Sequence, residues 1–162
     1  MTIHSTGGCA CGAIRYECSA AAAFAGNCHY RDCQRATGSA FAPLVFVPRS
    51  AVTITGDVKY YDVKGDSGQI VSRGFCPACG ARLFLNPAMM SDVVGIMAGA
   101  LDDPTWFQPT MDIYTASAQP WDCMNPDLST FPKMPRCSVC FTILTRPALE
   151  VSNAITHRRM RH

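Results

Sequence analysis

The sequence predicts a mainly β fold built from short antiparallel strands. Twelve glycines and eleven prolines divide the chain into short pieces. Several of these pieces alternate in polarity or are rich in β-branched and aromatic residues, and no long stretch keeps the periodicity of a helix. Short strands at near-regular spacing, separated by turn residues, are typical of antiparallel β-rich domains.

Strand character recurs along most of the chain. Turn signals such as TGD, KGDSG and NP separate the segments. In chain order the predicted strands are AIRYEC (13–18), APLVFVP (42–48), AVTITG (51–56), KYYDV (59–63), QIVSRGF (69–75), ARLFLN (81–86) and MDIYT (111–115). The polar, proline-punctuated stretch 119–135 is expected to run over the surface.

Two short helical turns are predicted between the strands. Asp32 is a candidate N-cap for the segment CQRATG, which Gly38 would end as a C-terminal glycine. The second turn is expected to follow Asp103 and Pro104, because proline is tolerated in the first turn of a helix.

Length and composition indicate an ordinary globular protein. The chain has 162 residues, of which 48% are hydrophobic and 16% charged, with a formal net charge of +2. Such a small charge gives no argument for binding nucleic acid, and the basic run THRRMRH (156–162) is typical of a solvated tail. No N-terminal signal segment is visible, and the most apolar run, VVGIMAGAL (93–101), has about half the length of a membrane-spanning helix. We therefore expect a cytoplasmic protein with no membrane partner.

Two pairs among the ten cysteines have the spacing of zinc ligands. Cys9 and Cys11 lie in GGCACG, and Cys76 and Cys79 lie in CPACG. In a CxxCG turn two thiolates point to one centre while the glycine permits the tight backbone turn. The four thiolates together would form a closed tetrahedral site for structural zinc, the alternative being four buried, unpaired thiols.

A second cysteine pair lies in NCHYRDCQRATG (27–38). Cys28 and Cys33 alone cannot fill a zinc shell, so His29, Tyr30, water or a substrate would have to contribute. Zinc with open positions suits catalysis, because it can bind and deprotonate an incoming thiol or polarise a carbonyl. The sequence leaves two alternatives open: a metal-free thiol pair whose thiolate form is favoured by nearby arginines, and an ordinary loop.

The remaining cysteines give weaker signals. Cys18 and Cys123 stand alone and are expected to be core or surface thiols. CSVC (137–140) is a further CxxC, with His157 and His162 after it, but it lacks the knuckle glycine. This part of the chain is expected to be an unspecialised tail and not a third metal site.

The motifs GGCACGAIRYEC, CHYRDCQRATGSAF, TGDVKYY, GFCPACGARLF and MDIYTASAQPWD, taken in order, resemble the glutathione-dependent formaldehyde-activating enzyme family. The resemblance runs from about residue 6 to residue 135. It implies a β-tent fold, in which small antiparallel sheets gather around a structural zinc held by Cys9, Cys11, Cys76 and Cys79. We accordingly divide the chain into a zinc-binding domain at 1–136 and a tail at 137–162.

The resemblance also implies that the loop beginning at Cys28 is the active site. The family pattern there is CHCxxC, in which three cysteines hold a second zinc with one open position. Its founding activity condenses glutathione with formaldehyde to S-(hydroxymethyl)glutathione and is classed as a carbon–sulfur lyase by the reverse direction. In this sequence Tyr30 occupies the position of the middle cysteine. Because a phenol is a poorer zinc ligand than a thiolate, the affinity of the second site for zinc should fall.

Three hypotheses for function follow. The leading one is carbon–sulfur lyase-type chemistry at Cys28 and Cys33 on a small thiol or aldehyde substrate, with glutathione as co-substrate. In it, Arg35 or Arg73 pairs with a glutathione carboxylate, and His29 acts as a base or a replacement ligand. The second is a zinc-stabilised binding module without catalysis. The third is a thiol-redox role for the Cys28 and Cys33 pair.

Overall fold

The computed structural model describes residues 4–135. The described residues form eleven strands and one α-helix. They are β1 (Ser5–Gly8), β2 (Arg15–Cys18), β3 (Phe24–Cys28), α1 (Arg31–Thr37), β4 (Ala42–Pro48), β5 (Val52–Thr55), β6 (Lys59–Lys64), β7 (Ile70–Phe75), β8 (Arg82–Pro87), β9 (Val93–Met97), β10 (Met111–Ile113) and β11 (Ser129–Phe131). Short 3₁₀ turns occur at Arg49–Ala51, Ala88–Met90, Ala98–Ala100 and Thr115–Ser117.

The strands form two sheets. The smaller sheet has the order β1-β2-β5, and the larger has the order β11-β10-β3-β4-β9-β8-β7-β6. All pairs are antiparallel except β3 with β10 and β10 with β11, which are parallel. The predicted mainly β fold is confirmed, with one small antiparallel sheet beside a larger mixed one.

Each of the seven predicted strands overlaps an observed strand, whereas β1, β3, β9 and β11 were not predicted. The strand β3 shows why. All five of its residues, FAGNC, are buried, so the alternation that marks a half-exposed strand is absent. Its small residues are needed because β10 packs closely: a Cβ atom on Gly26 would lie 2.8 Å from the Met111 carbonyl oxygen.

The helix α1 begins two residues earlier than predicted. Tyr30 occupies the N-cap position, and Asp32 lies in the first turn, where its carboxylate interacts favourably with the positive end of the helix dipole. Gly38 ends the helix with φ 68°, as predicted.

The predicted second helical turn is wrong: after Pro104 the chain makes a single turn, closed by a 3.0 Å hydrogen bond from the Phe107 N–H to the Pro104 carbonyl.

The two sheets pack against each other through Tyr16 of β2. Its ring meets the edge of Phe84 of β8 at a centroid distance of 5.5 Å, and its hydroxyl donates to the Ala100 carbonyl at 3.1 Å. Gly7 of β1 also forms a β-bridge with Leu101. This shared core fixes the β1–β2 turn beside the β7–β8 turn.

None of the helices within residues 4–135 is long and apolar enough to cross a membrane. The predicted tail, with Cys137, Cys140, His157 and His162, lies outside the described residues.

Candidate functional site

The two predicted zinc-ligand pairs come together at the junction of the sheets. The ligand atoms of all four cysteines lie within 4.8 Å of one another. We call this set, Cys9, Cys11, Cys76 and Cys79, the four-cysteine cluster. Within residues 4–135 it is the one group of three or more His, Cys, Asp or Glu side chains whose ligand atoms converge in this way.

Two tight turns present these sulfurs. Gly12, φ 78°, follows the first pair and donates its N–H to the Cys9 carbonyl at 3.1 Å. Gly80, φ 75°, follows the second pair and donates to the Cys76 carbonyl at 2.9 Å. A side chain is strained at such positive φ values, so glycine is the residue that lets both turns close.

The spacing of the sulfurs fits a tetrahedral zinc ion. Four sulfurs bound at the ordinary Zn–S distance of about 2.3 Å lie roughly 3.8 Å from one another. The Cys9 and Cys11 sulfurs are 3.5 Å apart, and those of Cys11 and Cys76 are 3.7 Å apart. Cys9 also accepts a 3.2 Å hydrogen bond from the Ile14 N–H, of the kind that supports zinc-bound thiolates.

The ionisation of the cysteine thiols in the cluster also favours a bound cation. Burial opposes ionisation of Cys9, but hydrogen bonds from the Ile14 N–H and from the neighbouring thiols outweigh it and lower its pKa to about 6. For Cys11 the Ala13 N–H favours the thiolate, yet the nearby Cys9 and Cys79 sulfurs oppose a further negative charge and raise the pKa to about 11. The thiols therefore cannot all ionise alone, and a bound Zn²⁺ would supply the missing positive charge.

Cys28 and Cys33 lie in a second place, at the junction of β3 and α1. Cys28 is the last residue of β3, and Cys33 lies in the first turn of α1. Their exposed fractions are only 4% and 3%, and the two side chains are close enough to shift each other's pKa. The fold thus joins the two thiols that the sequence singled out and buries them together.

Arg73 of β7 lies beside this thiol pair. Its guanidinium donates to the Cys33 sulfur at 3.6 Å, although the residue is only 5% exposed. Among the described residues no carboxylate forms an ion pair with Arg73. A buried guanidinium needs a compensating anion, and the Cys33 thiolate is the group placed to provide it.

The pKa values of the two thiols are shifted in opposite directions. The hydrogen bond from Cys28, aided by the charge of Arg73, outweighs burial and lowers the pKa of Cys33 to about 7. The same hydrogen bond, together with burial, raises the pKa of Cys28. The pair therefore favours one thiolate on Cys33 and one thiol on Cys28.

Tyr30 faces the same cavity from the start of α1. Its ring lies 4.9 Å from that of Tyr114, which has φ 59° and is the one non-glycine residue with positive φ among residues 4–135. Burial raises the pKa of both phenols, that of Tyr114 to about 12. They therefore stay neutral and can donate hydrogen bonds, whereas a metal-binding phenolate is disfavoured. Sequence reasoning missed Tyr114, because the strained backbone conformation that marks it leaves no local sequence signal.

These side chains line an open cavity whose other walls are largely apolar. We call it the thiol cavity, defined by Cys28, Tyr30, Cys33, Arg73 and Tyr114. Its apolar walls come from strands β4, β7, β8 and β10 and from the turn after β8, with Leu44, Phe46, Val71, Leu85, Ile113 and Met90 among them. Asp66 and Ser67 stand on the loop between β6 and β7 at its edge.

Arg35 does not line the thiol cavity. Its side chain is largely exposed, with Nη1 3.5 Å from a carboxylate oxygen of Asp32 one helical turn away. It contributes instead to a neighbouring surface groove with Arg82, Tyr61 and Asp32. Arg73 lines both spaces, so the arginine groove and the thiol cavity adjoin at this side chain.

His29 points away from the thiol cavity, whose lining does not include it. It is 1% exposed, and its two ring nitrogens lie 3.4 Å from an Asp112 oxygen and 3.2 Å from an Asp122 oxygen. Its backbone N–H donates to Ile113 at 2.9 Å, and its carbonyl accepts from the Gln34 side chain at 2.9 Å. This position suits a residue that holds the β3–α1 junction in place.

The solitary cysteines follow the expectation for them, since Cys18 is buried in the core and Cys123 is exposed.

Comparisons with known proteins bear on the family and the fold. A family model described as "Glutathione-dependent formaldehyde-activating enzyme" matches residues 4–117. A crystal structure of a Rhodobacter sphaeroides protein from Northeast Structural Genomics is similar with a TM-score of 0.50 and 17% identity, covering 78% of this chain and 98% of that one. At this identity the likeness concerns the fold alone. No curated protein matches the chain.

Proposed function

The chain belongs to the glutathione-dependent formaldehyde-activating enzyme family, and from that premise we propose that it catalyses reversible carbon–sulfur bond formation between a glutathione-type thiol and an aldehyde. The observation that carries the proposal is the thiol cavity, in which two buried thiols meet a buried guanidinium and neutral phenols. In the lyase direction the same site would cleave the thiol–aldehyde adduct.

The arginine groove supports a glutathione-like co-substrate. Glutathione carries carboxylates at both ends and an ammonium group, and the groove offers Arg35 and Arg82 together with Asp32. With its charged ends in this groove, its thiol would point toward Arg73, which also lines the thiol cavity. The groove thus supports the binding role that the sequence suggested for Arg35, while Arg73 would act nearer the sulfur.

The thiol cavity supports the addition step. A carbonyl group bound there would lie near a thiolate stabilised by Arg73 and within reach of the phenol of Tyr30 or Tyr114, either of which could donate a hydrogen bond to the developing oxyanion. Holding thiol and aldehyde together lowers the entropic part of the barrier. His29, whose ring lies between the carboxylates of Asp112 and Asp122, would position the loop that carries Cys28 and Tyr30.

Zinc has a structural role in this proposal. Bound by the four-cysteine cluster, it would contribute to folding by cross-linking the two sheets. At the thiol cavity the described residues offer two thiols and a neutral phenol, a poor donor set for a second zinc ion.

The second candidate, a non-catalytic binding module, is favoured by the same shortage of metal ligands. Nuclear magnetic resonance of glutathione mixed with formaldehyde or benzaldehyde, in the presence of the protein, distinguishes the two. Catalysis predicts exchange between free thiol and hemithioacetal faster than the spontaneous rate, lost in Cys28→Ser/Cys33→Ser and kept in Cys123→Ser. Glutathione binding without faster exchange would support the module, and the absence of both would contradict the assignment of glutathione to this site.

A further inference from the structure

We propose that Cys33 is a metal-independent nucleophile, held as a thiolate by Arg73, which adds reversibly to the carbonyl carbon of an aldehyde that carries an apolar substituent. The inference rests on the proposed function only for the aldehyde as substrate class. It assigns Cys33 as a catalytic residue in its own right.

The first support is the buried hydrogen bond between Arg73 and Cys33. Arg73 and Cys33 come from β7 and α1, lie 3.6 Å apart, and are both at least nine-tenths buried. The Nε atom of Arg73 has no hydrogen-bond partner within the described residues, and no carboxylate neutralises the guanidinium there. A charge buried in this way is costly unless an anion faces it, and Cys33 is the anion that the fold supplies.

The second support is the position of Arg73 beside a thiol that a metal ion would also have to bind. A zinc ion bound by Cys28 and Cys33 would have to share Cys33 with a fixed guanidinium. Two positive groups competing for one thiolate repel each other in a poorly solvated space. Arg73 already provides the stabilisation of the thiolate for which a metal is otherwise required.

The groups present account for the electron pairs and the proton of the addition step. The Cys33 sulfur donates an electron pair to the carbonyl carbon and forms a carbon–sulfur bond, while the π electrons of the C=O bond move to oxygen. That oxygen takes the proton of the Cys28 thiol, which leaves a hemithioacetal on Cys33 and a thiolate on Cys28. The negative charge stays beside Arg73 throughout, and the reverse step releases the aldehyde next to a thiol bound in the arginine groove.

The walls of the cavity indicate the kind of aldehyde. Phe46, Val71, Leu85, Met90 and Ile113 offer an apolar surface that formaldehyde, which has no substituent, cannot use. Burying an apolar substituent against them is favourable because it removes apolar surface from water. An aromatic or aliphatic aldehyde therefore fits this space better than formaldehyde.

The test uses the full chain with its structural zinc and benzaldehyde labelled with ¹³C at the carbonyl, without added thiol. We expect a saturable tetrahedral carbon signal, with mass spectrometry of the intact protein giving one adduct per chain. The signal should vanish in Cys33→Ser and persist in Cys123→Ser. Arg73→Met should weaken the adduct about tenfold or more, and Arg73→Lys should recover part of the loss by restoring a charge.

Zinc content and circular dichroism of each variant show whether it is folded. An adduct that persists in Cys33→Ser, or that disappears when a second zinc ion is chelated, would overturn the inference. The apolar substrate class would be overturned if formaldehyde gained more than benzaldehyde when each adduct at Cys33 is compared with the same aldehyde's adduct on a free model thiol. Because no glutathione is present, the adduct can form even where turnover with glutathione fails. Conversely, turnover that survives in Cys33→Ser leaves the proposed function standing and removes this inference.

Discussion

The sulfurs of Cys11 and Cys76 lie 3.7 Å apart although 65 positions separate the two residues in the chain. Cys11 belongs to the turn between β1 and β2 of the small sheet, and Cys76 directly follows β7 of the large sheet. A metal ion here would join the two sheets at one point. The relationship makes the four-cysteine cluster a cross-link and gives it a measurable role in stability.

Cys76→Ser should therefore remove the structural zinc and leave a largely unfolded or aggregated product. Zinc binding to sites of this kind contributes on the order of 10 kcal/mol, which is comparable to the whole free energy of unfolding of a domain. Elemental analysis for zinc and circular dichroism on the purified variant measure both effects. The matched control is Cys123→Ser, which alters an exposed thiol outside the cluster. A Cys76→Ser variant that folds cooperatively without zinc would contradict this role.

Tyr30→Cys should raise the zinc content from about one to about two ions per chain. The change restores three thiols around the β3–α1 junction, enough for a site with one open position. Elemental analysis gives the stoichiometry, and Tyr30→Phe, which removes only the hydroxyl, should leave it at about one. Unchanged zinc in Tyr30→Cys would mean that Tyr30 is not what prevents a second site. In that case Arg73→Met in the same background tests the guanidinium.

The sequence was sufficient for those features that local chemistry encodes. CxC and CxxCG with their glycines identified the four-cysteine cluster. Segments that alternate in polarity or are rich in β-branched and aromatic residues identified seven of the strands. It was insufficient where long-range packing decides. The strand β3 is buried on all sides and so shows no alternation, and Arg73 in QIVSRGF looks like any strand arginine until β7 brings it to Cys33. His29 was a candidate base on the chemistry of its ring, but the fold turns that ring toward Asp112 and Asp122.

Tyr16→Phe should lower the free energy of unfolding by about 1–3 kcal/mol. The Tyr16 hydroxyl donates to the Ala100 carbonyl in the core between the sheets, and its removal leaves that carbonyl without this buried donor. Urea unfolding followed by fluorescence measures the change. Tyr60→Phe is the control, because Tyr60 is well exposed and should change stability by less than about 0.5 kcal/mol. Equal effects of the two substitutions would show that the Tyr16 hydrogen bond contributes nothing to holding the sheets together.

Alkylation of Cys33 should depend on pH with a midpoint near neutrality. Its pKa is lowered to about 7 by the hydrogen bond from Cys28 and by Arg73. The thiolate fraction, and with it the rate, should fall about tenfold per pH unit below that value and level off above it. Iodoacetamide labelling followed by peptide mass spectrometry between about pH 5 and pH 9 gives the profile.

The reference is the urea-unfolded chain, in which the rate should keep rising to the ordinary thiol pKa of about 8.5. Arg73→Met should move the folded midpoint upward, since the charge that favours the thiolate is lost, and an unmoved midpoint would show that Arg73 does not stabilise Cys33.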